Sequence, residues 1–213
     1  MSKTISKDSN SQIVIAHFKK ADPRLYQILT KVIDTHGDYL FTLKKHDFLF
    51  DRLVESIISQ QLSVRVADVI YERVLNLMPY KKLNPEAILK TKDEILRAAG
   101  LSYGKIKYIK DLSDKVTSGD LDLDNLENLE NEEVIEKLIA VKGIGKWTAE
   151  MFLMGALGRP DIFSHGDLGL KNAFKKIYGV TEYNEVEAEQ IVIKWSPYRT
   201  IAARILWKSL ELK

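Results

Sequence analysis

No cysteine occurs anywhere in this chain of 213 residues. That removes disulfides, thiol catalysis, cysteine-ligated zinc and cysteine-held iron–sulfur clusters together. Long apolar runs are missing too. None reaches the length of a membrane span, and the N-terminal MSKTISKDSNSQ is polar, without the apolar core of a signal peptide. No membrane partner is expected, and the protein is expected to be intracellular. The histidines (His17, His36, His46 and His165) have no metal-ligand spacing between them. A Walker-type loop, a strand-linked G-x-G-x-x-G and a G-x-S-x-G elbow are also lacking. The net charge of +2 is too small to announce a polyanionic partner, so local clusters must carry any such argument. No segment alternates long enough for a convincing strand, and no repeat of solenoid length occurs. The chain reads as all-α, long enough for one sizeable domain or two small lobes.

Helical periodicity is what the chain has in quantity. Residues 1–12 read as a flexible tail, with a short helix over 13–21. Asp22-Pro23 is a helix start, the Asp as N-cap and the Pro in the first helical position. The helix that follows carries Leu25, Ile28, Leu29, Val32 and Ile33. Asp47 is placed to cap a helix whose stripe is Phe50, Leu53, Val54, Ile57 and Ile58. Ser59-Gln60-Gln61-Leu62-Ser63 breaks that stripe, and Ser63 can cap the next helix. The two glutamines are either solvent-facing filler or amides presented to a base or a gap in a duplex. Lys105, Lys107 and Lys110, with Tyr103 and Tyr108, make either a solvated helix face or a surface for a nucleic-acid backbone. The stretch 119–131 is acidic, and Asn131 is placed to cap a helix over 132–140. Further helices are expected over 168–178, 184–195 and 197–210.

The stretch 138–167, LIAVKGIGKWTAEMFLMGALGRPDIFSHGD, concentrates the chemistry. Gly143-Ile144-Gly145 forms a tight turn between one helix ending near Val141 and another starting near Lys146. Glycine tolerates positive φ and lets another backbone come close. A helix start presents N–H groups without intrahelical partners, which suits a phosphate oxygen, and Lys142 and Lys146 add charge. An αα-hairpin with a glycine C-cap is the plainer reading of the same tripeptide. Beyond it, Asp167 sits at the start of the helix beginning near Leu168, where N–H groups can hold a carboxylate ionised. Trp147, Trp207, Tyr198, Tyr103 and Met151 are candidate walls for a pocket around it, suited to a flipped, unstacked base.

Together these residues resemble the helix-hairpin-helix-Gly/Pro-Asp superfamily of DNA glycosylases, in its 3-methyladenine DNA glycosylase II branch. The likeness rests on Leu138-x-x-Val-Lys-Gly-Ile-Gly-Lys-Trp-Thr-Ala149, on Asp167 after the helix, and on Ile58-Ser59-Gln60-Gln61-Leu62-Ser63. It also includes Trp195-x-Pro197-Tyr198-Arg199-x-x-Ala202-Ala203 and Trp207. It spans roughly residues 20–210. The resemblance implies two helical lobes with the active-site cleft between them, one from about 48–160, the other from the N-terminal helices plus about 161–213. It implies excision of alkylated purines from double-stranded DNA by base flipping and N-glycosidic hydrolysis. Asp167 matches the catalytic aspartate, and Trp147, Trp207, Met151 and Tyr198 match the base pocket. Gln60, Gln61, Leu62 and Ser63 match the turn that plugs the duplex. Lys142, Gly143, Ile144, Gly145, Lys146 and Thr148 match the DNA-gripping hairpin. Backbone carbonyls of Leu138, Val141 and Ile144 match a site for Na+ or K+, with no other cofactor required.

Departures from the pattern narrow the class. Bifunctional relatives keep a Schiff-base lysine where this chain has Trp147, and Lys146 lies about 100° round the helix. The four-cysteine cluster loop of the endonuclease III branch and the N-terminal sheet domain of the larger bacterial enzyme are missing. His165-Gly166 stands where the superfamily name advertises a proline. The expectation is a monomeric, monofunctional glycosylase in the cytoplasm and nucleoid, or in a nucleus. A non-catalytic hairpin DNA-binding or damage-sensing protein and a bifunctional oxidised-base glycosylase are the competing readings.

Overall fold

Helices account for every regular element among the described residues, 9–37 and 39–212 of a computed structural model. In order they are α1 (Ser9–Ala21), α2 (Pro23–His36), α3 (Leu49–Ser59), α4 (Val64–Leu77), α5 (Pro85–Lys90) and α6 (Asp93–Ala98). There follow α7 (Tyr103–Ser118), α8 (Asn131–Ile139), α9 (Lys146–Gly155), α10 (Leu168–Tyr178), α11 (Glu185–Val192) and α12 (Arg199–Ser209). Short 3₁₀ turns join several of them. None of these helices is long and apolar enough to cross a membrane. The all-α expectation holds, and the helix ends follow local chemistry.

Some of those ends differ from expectation. Helix α1 already starts at Ser9, ahead of the expected Ile13, and residues 1–8 of the expected tail lie outside the described residues. Asp47 does not cap α3. Phe48 occupies that position with φ −112° and ψ 70° and supplies no side-chain hydrogen bond. Asn131 is the first helical residue of α8, not its cap. Glu130 takes the cap, because its N–H donates to Glu133 Oε2 at 2.9 Å in a reciprocal capping box.

The chain divides into two compact units, one of residues 46–157 and one combining residues up to 45 with 158–213. In the first, α7 packs against α5, α6 and α3, while α9 packs against α8 and α3. Its core holds Leu53, Val54, Ile57 and Ile58 of α3, Ile109 and Leu112 of α7, and Leu138 and Leu153. Each fully buried aliphatic side chain of this kind contributes roughly 1.5–3 kcal/mol. In the second unit α12 packs against α2 and α10.

The second unit is knotted around Asp22. Its Oδ1 accepts Leu25 N–H at 3.0 Å, the expected N-cap bond. Its Oδ2 accepts the Tyr178 hydroxyl at 2.5 Å and the Trp195 indole N–H at 2.9 Å. Asp22 is 7% exposed, and Trp195 is fully buried. Burial, then the bond to Asp22, pushes the Tyr178 hydroxyl far above its usual range, so it remains a donor. One short carboxylate thus joins the start of α2, the end of α10 and the Trp195 turn. Asp22→Ala should cost about 3 kcal/mol, since it removes a cap and leaves two buried donors without their acceptor. Urea unfolding would measure this, and a loss below about 0.5 kcal/mol would refute the assignment.

Candidate nucleic-acid interface and active site

The hairpin lies wholly in the unit of residues 46–157. Val141 and Ile144 are buried and anchor it from below. Val141 N–H donates to Leu138 O, and Ile144 N–H to Val141 O, both at 3.1 Å. The two glycines then differ sharply. Gly143 has φ +83°, and a Cβ there would lie 2.2 Å from Cδ2 of Tyr108. Glycine is needed at that position for conformation and for contact with the ring. Gly145, the N-cap of α9, has φ −96° and open space where a Cβ would stand. Nothing inside the protein demands glycine there, and the start of α9 is open on that side.

The flanking lysines also differ. Lys142 is exposed but tied to α7: its backbone N–H donates to Asp111 Oδ2 at 2.9 Å and its ammonium pairs with Asp111 Oδ1 at 2.7 Å. Burial alone would raise the Asp111 pKa. The Lys142 hydrogen bonds and the nearby Lys115 charge outweigh it and hold the carboxyl below its usual range. Lys146 is 74% exposed, with its Nζ 3.9 Å from Glu150 Oε1, one helical turn on. Thr148 is buried, so any contact with a ligand from that position runs through its backbone.

The 60–63 turn joins this hairpin. Gln60 Nε2 donates to Gly143 O at 2.8 Å, so this glutamine is not solvent-facing filler. Gln61 adopts φ +58°, uncommon outside glycine. Leu62 is partly exposed beside it, and Val64 at the start of α4 is 78% exposed. Ser63 occupies the N-cap position of α4, without a side-chain capping bond. Met151 lines a cavity of about 310 Å³ in the same unit, with Ser56, Ser59, Val64, Tyr71 and Phe152. That is the low end of small-molecule pockets. Arg52 and Glu55 pair at 2.6 Å on its wall. Burial, then the charges of Asp51 and Glu55, pushes the Tyr71 hydroxyl up to about 12, so it stays protonated. Trp147, on the first turn of α9, is 48% exposed.

The other unit holds Asp167. Its Oδ1 accepts Leu170 N–H at 2.7 Å, as the expected N-cap of α10, and the Trp207 indole N–H at 2.9 Å. Two donors on one oxygen fix the orientation of the carboxylate. A Cβ at Gly169 would be tight, 3.1 Å from both Asp167 Oδ1 and Trp207 Cδ1, so a side chain there would press on the pair. The loop before Asp167 is anchored through His165, whose Nδ1 meets the Tyr183 hydroxyl at 2.5 Å and whose Nε2 meets Glu189 Oε2 at 2.8 Å. Tyr198, expected as a pocket wall, is half-buried in the same unit as Asp167. Its ring packs edge-on against His17 and Phe18, at 5.2 and 6.4 Å between centroids.

The structure thus brings Asp167 together with Trp207, and Gln60 with Gly143. Trp147 and Met151 belong to the other unit from Asp167, Trp207 and Tyr198. Sequence reasoning missed Asp111, whose signal was weak, an acid four residues before Lys115 on one helix face. The role of Gly169 was visible only as a glycine in a first helical turn.

Residues 54–197 match the HhH-GPD superfamily of base excision DNA repair proteins. The chain belongs to that superfamily. Within it, the chain is 34% identical over 169 residues to DNA-3-methyladenine glycosylase 1 of Schizosaccharomyces pombe, covering 76% of this chain and 73% of that one. The crystal structure of a DNA-3-methyladenine glycosidase from Bacillus halodurans superposes with a TM-score of 0.83 at 41% identity, over 98% of this chain and 92% of that one. A 3-methyladenine DNA glycosylase of S. pombe in complex with abasic DNA superposes with a TM-score of 0.80 at 29% identity, over 94% and 97% of the two chains. The HhH-GPD hairpin is where the glycine contrast can be tested. Gly143→Ala should cost about 2 kcal/mol or more, by strain and by collision with Tyr108. Gly145→Ala should cost under about 1 kcal/mol, the usual range for a poor N-cap. Equal losses in denaturant unfolding would refute the distinction.

Proposed function

We propose that the chain excises alkylated purines of the 3-methyladenine and 7-methylguanine type from double-stranded DNA. It does so by flipping the nucleotide and hydrolysing the N-glycosidic bond, without a lyase step. The observation that carries the reading is Asp167, a carboxylate fixed by Trp207 and by the first turn of α10 in a chain of this superfamily.

The chemistry asks little of the protein at the base. Alkylation at N3 or N7 makes the purine cationic and already a good leaving group. What must be added is stabilisation of the positive charge that develops on the sugar as the bond breaks. An oriented carboxylate supplies that and can align the attacking water. With Oδ1 engaged by two donors, the plane of the group is set before substrate arrives, so little reorganisation is needed in the transition state. Aromatic faces attract an electron-poor, cationic base by stacking and cation–π contact, the role assigned to Trp147, with Met151 one helical turn further along α9. The indole of Trp207 would act by its face on the base and by its N–H on the carboxylate.

Gripping the duplex falls to the hairpin, where Gly145 lets a phosphate reach the start of α9 and Lys146 adds an exposed charge. Carbonyl oxygens of Leu138, Val141 and Ile144 are hard donors that suit Na+ or K+. A carbonyl has two lone pairs, so accepting one hydrogen bond does not close it to a cation. No other cofactor enters the scheme. Gln61 and Leu62 would plug the space left by the flipped nucleotide. A Schiff base needs an amine in the pocket, and this chain has Trp147 at that position, while Lys146 reaches toward Glu150. Acting on DNA, the protein would work inside the cell.

Asp167→Asn should lower release of 3-methyladenine and 7-methylguanine from methylated duplex by about 100-fold or more, while abasic DNA stays bound. Chromatography of the freed bases and fluorescence anisotropy measure the two effects. Undiminished release would overturn the mechanism in favour of another catalytic group. Borohydride treatment during turnover should trap no covalent protein–DNA adduct, and a trapped adduct would establish a lyase step.

A further inference from the structure

Lys105 takes neither of the roles its place on a basic helix suggests. Its ammonium is half-buried and donates to Ile58 O at 2.7 Å and to Gln60 O at 2.8 Å. Those carbonyls belong to the end of α3, where the last turn of any helix has acceptors without intrahelical donors. Immediately afterwards Gln61 enters the left-handed region, and Leu62 N–H returns to Ser59 O at 3.0 Å. A left-handed non-glycine residue costs roughly 1–2 kcal/mol and persists only when its surroundings hold it. The Lys105 clamp is such a holder.

The other side of the same turn is tied through Gln60 to Gly143 of the hairpin. Gly143 lies on the ring of Tyr108, and Lys142 is held by Asp111. Lys105, Tyr108 and Asp111 follow at three-residue steps along α7 and so share one face. One helix face therefore braces both the turn and the hairpin, with Gln60 closing the loop between them.

We propose that Lys105 is a positioning residue for nucleotide flipping. By clamping the end of α3 it makes the plug at Gln61 and Leu62 rigid with the phosphate grip at 143–145, so that seating the backbone drives the plug into the duplex. Gln60 completes the strut. This rests on the glycosylase reading above, and the test separates the two.

The test uses the full chain with Lys105→Met, Lys105→Arg and Gln60→Leu. The probes are a duplex carrying a tetrahydrofuran abasic analogue beside 2-aminopurine, the same duplex undamaged, and 7-methylguanine DNA in single turnover. Lys105→Met should cut the 2-aminopurine response and the release rate about tenfold or more, from the loss of two charged hydrogen bonds, with affinity for undamaged duplex unchanged. Lys105→Arg, which keeps charge and donors, should recover most of both. Gln60→Leu, the loss of a neutral bond, should move the same readouts by a smaller factor. Wild-type flipping and release in Lys105→Met would overturn the proposal. So would a uniform loss of melting temperature, undamaged-duplex affinity and release that Lys105→Arg does not rescue. Should Lys105→Met not fold, Gln60→Leu decides, and wild-type behaviour there overturns the strut. If the unmutated chain neither releases base nor changes fluorescence, the glycosylase reading itself fails and takes this proposal with it.

Discussion

The contact between Gly143 and the ring of Tyr108 is what sets the hairpin against α7. A backbone lying flat on an aromatic ring admits no side chain, and the turn that brings it there needs positive φ. Both demands fall on one residue, which fixes how the 141–145 turn meets α7. Once it is seated, Lys142 is carried to Asp111, Ile144 into the core, and Gly143 O to the amide of Gln60. The start of α9 is then presented with only glycine in front of it. The place of the hairpin is thus set by backbone held against α7 and by Gln60, more than by side chains reaching outward.

Orientation of the carboxylate in the other unit follows a similar economy. Asp167 is an N-cap, so the bond that starts α10 is also the bond that aims the side chain. The indole of Trp207 adds the second donor, and Gly169 vacates the space that both need. Loop anchoring comes from His165 between Tyr183 and Glu189, where burial and the neighbouring Glu185 and Glu189 push the Tyr183 hydroxyl up to about 12 and keep it a donor. Catalytic groups are useful in proportion to how little they must rearrange, and each of these contacts is present without substrate.

Much of this was legible in the sequence because it is local. Helical period marks the stripes of α2 and α3; Asp22-Pro23 and Asp167 announce caps that the structure makes. Local signals fail where two of them compete over a few residues. Glu130 with Glu133 outbids Asn131 for the start of α8, and Phe48 begins α3 later than Asp47 would. They fail altogether where partners are distant along the chain. Lys105 looks like a surface cation until Ile58 O and Gln60 O stand beside it, and nothing near Tyr198 in sequence announces that His17 and Phe18 of α1 pack on its ring. Thr148 shares a motif with exposed residues yet faces the core, because a motif fixes spacing and not which helix face is buried.

The same reasoning accounts for the small net charge. A polyanion partner is usually met by an excess of basic residues, and binding through ammonium groups carries a steep salt dependence. Here several cations of the hairpin and α7 are spoken for, Lys142 by Asp111, Lys105 by carbonyls and Lys110 by Asp93, while Lys146 stays exposed. Acids of the 119–131 stretch are turned to local use, as where Asp122 accepts from the N–H groups of Asp124 and Asn125. Backbone amides at a helix start attract phosphate without adding net charge, and they cannot swing away as a lysine can. A protein that must let go of ordinary DNA and hold only where a nucleotide can leave the stack gains from that arrangement. On the mechanism proposed above, weak charge would keep non-specific residence low, and a rigid turn beside the hairpin would put the energetic distinction at the step where the base comes out.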